Sequence, residues 1–199
     1  MSFDAQAVQV HSVAEAYLYL LVTPCQSCGS GPLKQRGDLT KTSSVAGGWS
    51  LATACSACGV EGSIPFAIEP PPTREQARSD QINPTSARSG AIDLLGWLTL
   101  FQTILAESQR QEDKQAARQL AYEAAQCLDE ALKFYDADNE LPIEDAFFSE
   151  ASRRRFHDHP QRFSRSTWRQ RRLMLPDTKV AARLAGAKPR PPWWQFWRR

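Results

Sequence analysis

Cys25-Gln26-Ser27-Cys28-Gly29 and Cys55-Ser56-Ala57-Cys58-Gly59 are two matching CxxCG motifs in a chain of 199 residues. The 26 residues between the motifs are enough for a hairpin to leave one turn and return to the other. A glycine after each second cysteine predicts a left-handed backbone, which lets amide hydrogens point at the thiolates. Four thiols with this number and spacing predict one tetrahedral metal site.

The paired motifs resemble the zinc-ribbon superfamily, whose members hold one structural zinc ion between two such turns. The resemblance covers roughly Ala14 to Glu69, and it implies Zn²⁺ on Cys25, Cys28, Cys55 and Cys58. It leaves the activity open, because zinc ribbons serve in transcription factors, polymerase subunits, nucleases and many adaptors.

Two alternatives to zinc remain: a rubredoxin-like iron site, which such motifs also resemble, and a pair of redox-active dithiols. The long interval between the motifs and the lack of an obvious redox partner domain favour zinc. Four protein thiolates leave no open coordination position, so the metal is expected to be structural and not a Lewis acid.

Stretches rich in aromatic and aliphatic residues predict a small antiparallel sheet around the metal. The first strand is predicted over Ala14–Thr23, the second over Trp49–Thr53 and a further one over Ser63–Ile68. Gly37–Gly48 is polar and predicts a loop or a loose hairpin.

Pro70-Pro71-Pro72 ends the sheet region, since proline has no amide hydrogen and stiffens the chain. Helical periodicity follows, which predicts an α+β protein in two parts with an irregular basic tail. The expected domains are a zinc ribbon over 1–69, a proline-rich polar linker over 70–90, a helical domain over 91–186 and a basic aromatic tail over 187–199.

The helical domain is expected to begin with a hairpin of two helices, one buried and one amphipathic. A third helix is predicted from Pro142, because proline and acidic residues favour a helix N-terminus. The predicted helices span 91–106, 112–135, 142–157, 164–175 and 177–185.

The net charge of +2 hides a sharp partition along the chain. Residues 1–73 have a net charge of −2, residues 74–150 of −8 and residues 151–199 of +12. A basic end is attracted to phosphates, to anionic lipid or to an acidic protein surface. The segment 74–150 is itself such an acidic surface.

Four aromatic residues fall within five positions of the tail, at Trp193, Trp194, Phe196 and Trp197. Trp and Arg are favoured anchors in protein interfaces, so docking on a protein partner is the preferred interpretation. Folding back on the same chain, insertion at an anionic membrane interface and stacking on nucleic-acid bases are the alternatives.

Arg165, Arg169 and Arg172 recur at i, i+4 and i+7 of a predicted helix, which places three guanidinium groups on one face. Such a face can follow a phosphate backbone. The competing interpretation is that these arginines pair with the acidic middle segment or lie solvated.

The chain contains no Walker loop, GxGxxG, GxSxG or HExxH motif, and Cys127 has the helical spacing of a packed core thiol. An enzyme is therefore not expected. The start has no basic export signal, no run is long enough to span a bilayer, and metal-spaced cysteines suit a reducing cytoplasm. The sequence predicts a cytoplasmic, zinc-binding adaptor or regulatory protein that docks on a larger assembly through its helical domain and tail. The alternative is a nucleic-acid-binding factor that uses its basic C-terminal segment.

Overall fold

The computed structural model describes residues 7–42, 48–69 and 81–177. These residues form a five-stranded sheet followed by a helical region, with one helix packed beside the sheet, so the predicted α+β class is confirmed. They belong to two compact units, one up to Thr85 and the other from Ser86 onward. The domain boundaries predicted from the sequence stay a prediction.

The sheet of the N-terminal unit is mixed. Its strands are β1 Val8–Val10, β2 Leu33–Gln35, β3 Thr40–Lys41, β4 Gly48–Cys55 and β5 Glu61–Ile68. Strand β4 pairs antiparallel with β5 along one edge and with β2 and β3 along the other. Strand β1 instead pairs parallel with β5, so the prediction of a purely antiparallel sheet is wrong at this edge. The strands predicted at Trp49–Thr53 and Ser63–Ile68 correspond to β4 and β5.

The segment predicted as the first strand is a helix, α1, which spans Val13–Val22. Its N-cap is Ser12, whose side chain accepts a hydrogen bond of 3.0 Å from the amide of Glu15. A satisfied N-cap followed by alanines and leucines favours a helix over the strand that the aromatic and aliphatic content suggested. The ring of Tyr19 meets Phe66 of β5 edge-on at 5.8 Å between centroids, which packs α1 against the sheet.

The helical unit begins with a packed hairpin. Helix α2 spans Leu94–Arg110 and helix α3 spans Lys114–Leu132, so the two predicted helices are confirmed with shifted ends. Ser108 near the end of α2 donates to the carbonyl of Ala117 near the start of α3, at 2.7 Å, as expected for antiparallel neighbours. Asp93 begins α2 by accepting a hydrogen bond from an amide of its first turn.

The single third helix predicted over 142–157 is interrupted. A short 3₁₀ turn at Glu144–Ala146 is followed by extended backbone at Phe147, and helix α4 then spans Glu150–Asp158. The new start is a capping box, in which Ser149 and Ser152 bond each other's amides. A capping box at Ser149 therefore starts a new helix in place of one continuous helix.

Helix α5 spans Arg165–Leu173 and matches the helix predicted over 164–175. Its Trp168 is buried and meets Phe101 of α2 edge-on at 5.9 Å, which attaches α5 to the hairpin. The predicted helix 177–185 and the tail 187–199 lie outside the described residues. In the part of the chain that the structure describes, no helix has the length and apolarity needed to cross a bilayer.

Candidate metal centre

The sheet brings the two CxxCG turns together. The first turn lies in the connection from α1 to β2, and the second joins β4 to β5. Pairing of β2 with β4 places Leu33 opposite Cys55. The carbonyl of Pro32 also accepts two hydrogen bonds from Ser56, one from the amide at 3.0 Å and one from the hydroxyl at 2.8 Å. The register of one strand pair thus fixes the distance between the turns.

The two turns have the same backbone structure. In each, the first cysteine's amide bonds a carbonyl five residues later, and the glycine's amide returns to the first cysteine's carbonyl. The four bonds are Cys25 N–H to Ser30 at 2.5 Å, Gly29 N–H to Cys25 at 2.8 Å, Cys55 N–H to Val60 at 2.9 Å and Gly59 N–H to Cys55 at 3.0 Å. Both glycines have positive φ, +68° and +73°, which confirms the left-handed conformation predicted at these positions.

The sulfur atoms of Cys25, Cys28, Cys55 and Cys58 all lie within 4.8 Å of one another. The closest contacts cross between the turns: Cys25 Sγ is 3.8 Å from Cys58 Sγ, and Cys28 Sγ is 3.7 Å from Cys55 Sγ. The first cysteine of each turn is buried and the second is exposed. This cluster could hold one metal ion, with one ligand pair on the protein side and one toward solvent.

Backbone amides polarise the two buried thiols. The Cys55 sulfur accepts from the amides of Ala57 at 3.3 Å and Cys58 at 3.5 Å. The Cys58 amide is the main cause that lowers the pKa of Cys55 to about 6. The amides of Cys28 and Ser27 likewise lower the pKa of Cys25. Since thiolates are the metal ligands, these amides prepare the site for a cation.

The exposed Cys28 has the opposite character. The Ser30 amide acts to lower its pKa, but the neighbouring thiol groups, Cys58 first, together with burial raise it to about 12. These opposite shifts favour the thiolate form of Cys55 over that of Cys28 when no metal is bound. Because metals bind thiolates, binding of a metal must displace the proton of Cys28.

We expect metal affinity to fall with decreasing pH in two regimes. The lowered pKa of Cys55 favours the fold fully above the ordinary thiol value of 9.0, and this contribution is lost as pH falls through about 6. Below that point Cys55 must also release a proton, so the slope of log affinity against pH should steepen by about one. Competition with a chelator between pH 5 and 8 measures this slope, and a constant slope would contradict the prediction.

The three arginines of the predicted phosphate-binding face have different surroundings. Arg172 forms a bidentate ion pair with Asp129 of α3, at 2.6 and 3.0 Å. Arg165 donates to the carbonyl of Ala137, and Arg169 is exposed. Two of the three are thus engaged within the helical unit, and phosphate binding by this set stays a prediction.

The four tail residues that are predicted to bind a partner lie outside the described residues; they are Trp193, Trp194, Phe196 and Trp197. Cys127 is fully buried in α3, and burial raises the pKa of its thiol. The sequence did not show the contact of Ser56 with Pro32, because it depends on the register between β2 and β4.

Comparison of the chain with family models, with curated proteins and with solved structures gives no match.

Proposed function

We propose that Cys25, Cys28, Cys55 and Cys58 hold one structural zinc ion. The observation that supports this most is the spacing of the sulfur atoms. Zinc–sulfur bonds of about 2.3 Å in a tetrahedron place the ligand atoms about 3.8 Å apart. The closest pairs across the site, at 3.7 and 3.8 Å, agree with that distance. The chain's own turns therefore fit the ion.

A four-thiolate zinc ion would supply folding free energy and no chemistry, because no coordination position remains for water or substrate. The amides of Ser27 and Ala57 would support the charge of their thiolates. Thiolate ligands persist in a reducing compartment, which supports a cytoplasmic location. We infer a non-catalytic role for the metal-bearing unit.

We further infer that the protein is an adaptor or regulatory protein that docks on a larger assembly. The charge partition supports this role, since residues 151–199 have a net charge of +12 and residues 74–150 of −8. The tail adds four aromatic residues beside Arg198 and Arg199, a composition that is typical of interface anchors. The absence of the catalytic motifs sought in the sequence supports a binding role over an enzyme.

Replacing Trp193, Trp194, Phe196 and Trp197 together by alanine should remove the partners of the full-length protein. Loss of several aromatic anchors typically costs about 2 kcal/mol or more for each central residue, which abolishes capture at micromolar concentration. Quantitative affinity capture from a lysate of the source cells, with the zinc content and unfolding midpoint measured alongside, tests this prediction.

The matched control replaces Lys188 and Arg190 by alanine, which removes two charges from the tail and keeps its aromatics. This control should keep the captured proteins, with a weaker dependence on salt, because two of the charges that salt screens are gone. A quadruple aromatic variant that keeps every partner would contradict the docking role. Such a result would leave the zinc site untouched, because the metal is measured separately.

Nucleic-acid binding remains the alternative function. Its test is the anisotropy of labelled single- and double-stranded DNA and RNA at two salt concentrations, since phosphate neutralisation makes binding weaken steeply with salt. Charge reversal at Arg169 is the informative variant, because Arg165 and Arg172 also make contacts inside the unit. Unchanged affinity would exclude this face.

A further inference from the structure

The C-terminal end of α5 exposes two adjacent apolar side chains, the last helical residue and the C-cap residue that follows it. Leu173 is 86% exposed and Met174 is 77% exposed. The other large apolar side chains exposed among the described residues, Val60, Leu141, Ile143 and Phe148, are exposed by 41–48% only. Burying a side chain of this size raises an association constant by about tenfold or more. Two such neighbours at a helix end therefore form a strong candidate for a binding surface.

Positive charge surrounds this apolar pair. From His159 to Asp177 the chain has five arginines and one acidic residue, Asp177. Arg169 lies one helical turn before Leu173, and Arg171 lies one turn before Met174; both arginines are exposed. Neither forms an ion pair with any residue that the structure describes. We call Arg169, Arg171, Leu173 and Met174 the α5 tip.

Helix α5, which carries the α5 tip, is fixed by side-chain contacts with α2 and α3. Arg172 pairs with Asp129 of α3, and Trp168 is buried against Phe101 of α2. The guanidinium of Arg171 lies over the Trp168 ring, 4.8 Å from its centroid, while its charge stays at the surface. The helix is therefore anchored to the hairpin on one side and presents the tip on the other.

We propose that the α5 tip is a peripheral contact with an anionic lipid bilayer. Leu173 and Met174 enter the boundary between headgroups and acyl chains, and Arg169 and Arg171 contact lipid phosphates. A bilayer offers anionic phosphates directly above apolar chains, which matches cations placed one turn behind an exposed apolar pair. The 22 residues after Asp177 add six basic residues and no acidic one, which strengthens attraction to the same surface.

The same features favour a bilayer over other anionic partners. Single-stranded nucleic acid is bound by stacking on exposed aromatic rings, whereas Trp168 is only 4% exposed and lies beneath Arg171. Leu173 and Met174 would also make no favourable contact with a phosphate backbone. The proposal is carried by the α5 tip, and it depends on neither the zinc site nor the protein partner proposed for the tail.

Flotation of the full-length protein with lipid vesicles tests the proposal. The vesicles contain phosphatidylcholine with or without about 30% phosphatidylglycerol, in about 0.1 M salt. We expect binding to the anionic vesicles and little to the neutral ones. The double variant L173S/M174S should lower the partition coefficient on anionic vesicles by tenfold or more. Full burial would contribute about tenfold for each apolar side chain, and partial insertion reduces this contribution.

The matched control is L141S/I143S, which removes two apolar side chains that are exposed by 42% and 43% elsewhere in the same unit. Its partition coefficient should stay within about twofold of the unmodified protein. The variant R169Q/R171Q should lower binding to anionic vesicles by about fivefold per arginine and leave binding to neutral vesicles unchanged. Helical circular dichroism should be the same for all variants, because the replaced side chains are at the surface.

Three results would overturn the proposal. The first is an L173S/M174S protein that binds anionic vesicles as well as the L141S/I143S control does. The second is equal binding of the unmodified protein to neutral and anionic vesicles. The third is failure of the unmodified protein to float with anionic vesicles, and binding to a labelled oligonucleotide in that case would assign the arginines to nucleic acid.

Discussion

Replacing Cys55 by serine is expected to remove zinc from the protein and to unfold the N-terminal unit. Cys55 is buried at the end of β4 and belongs to the sulfur cluster of the two turns. Structural zinc sites contribute roughly 10–16 kcal/mol of binding free energy, which is as large as the whole stability of a domain. Zinc content by atomic emission should fall from one ion per chain to about none.

Cys127→Ala is the matched control, because it removes a buried thiol from α3 that belongs to neither CxxCG turn. It should keep the full zinc content, even though its unfolding midpoint falls. Iron in place of zinc in the unmodified protein would favour the rubredoxin-like alternative. A Cys55→Ser protein that retains stoichiometric zinc would contradict the shared four-cysteine site.

The cluster of four cysteines is the part of the structure that the sequence predicted best. Both CxxCG turns repeat a local pattern in which the glycine has positive φ and the cysteine amide bonds a carbonyl five residues later. Local geometry of this kind is encoded in adjacent residues, so it is visible without a structure. The strands β4 and β5, which enter and leave the second turn, were predicted for the same reason.

The first predicted strand failed because two local signals conflicted. The aromatic and aliphatic residues around Tyr17 and Tyr19 suggested a strand, while Ser12 followed three residues later by Glu15 is a helix-start signal. The serine does cap the helix. Its hydroxyl also donates to the carbonyl of Ile82, a contact 70 residues away that periodicity could not show.

The parallel pairing of β1 with β5 could not be predicted from the sequence either. Val8 pairs with Phe66 and Val10 pairs with Ile68, so the start of the unit is joined to its last strand. Such a pair depends on the path of the whole intervening chain and not on any local pattern. The tripeptide strand is too short for alternation to be recognised in the sequence.

The break before α4 has a tertiary cause. Continuing the helix from Glu144 would have kept Phe147 on a helical path, whereas the extended backbone lets its ring stack on Phe156 at 4.8 Å. The same ring meets Phe163 edge-on at 5.2 Å. Contacts between three aromatic rings from separate segments outweighed the helical tendency of residues 142–157.

Replacing Phe147 by alanine is therefore expected to destabilise the helical unit by about 3–5 kcal/mol, the usual cost of deleting a fully buried aromatic ring. Phe147 is 1% exposed and contacts both rings of the cluster. The loss is a large fraction of the stability of an ordinary domain, about 5–15 kcal/mol. Denaturant unfolding followed by helical circular dichroism measures it as a lower midpoint at an unchanged slope.

Phe148→Ala provides the control at the next position. Phe148 is 41% exposed, and its ring meets Phe134 at a tilted 6.2 Å, so its removal should cost about 1 kcal/mol. Its amide hydrogen bond to Asp93 is a backbone contact that alanine keeps. Equal losses for the two variants would contradict a cluster centred on Phe147, because ring burial alone distinguishes the adjacent phenylalanines.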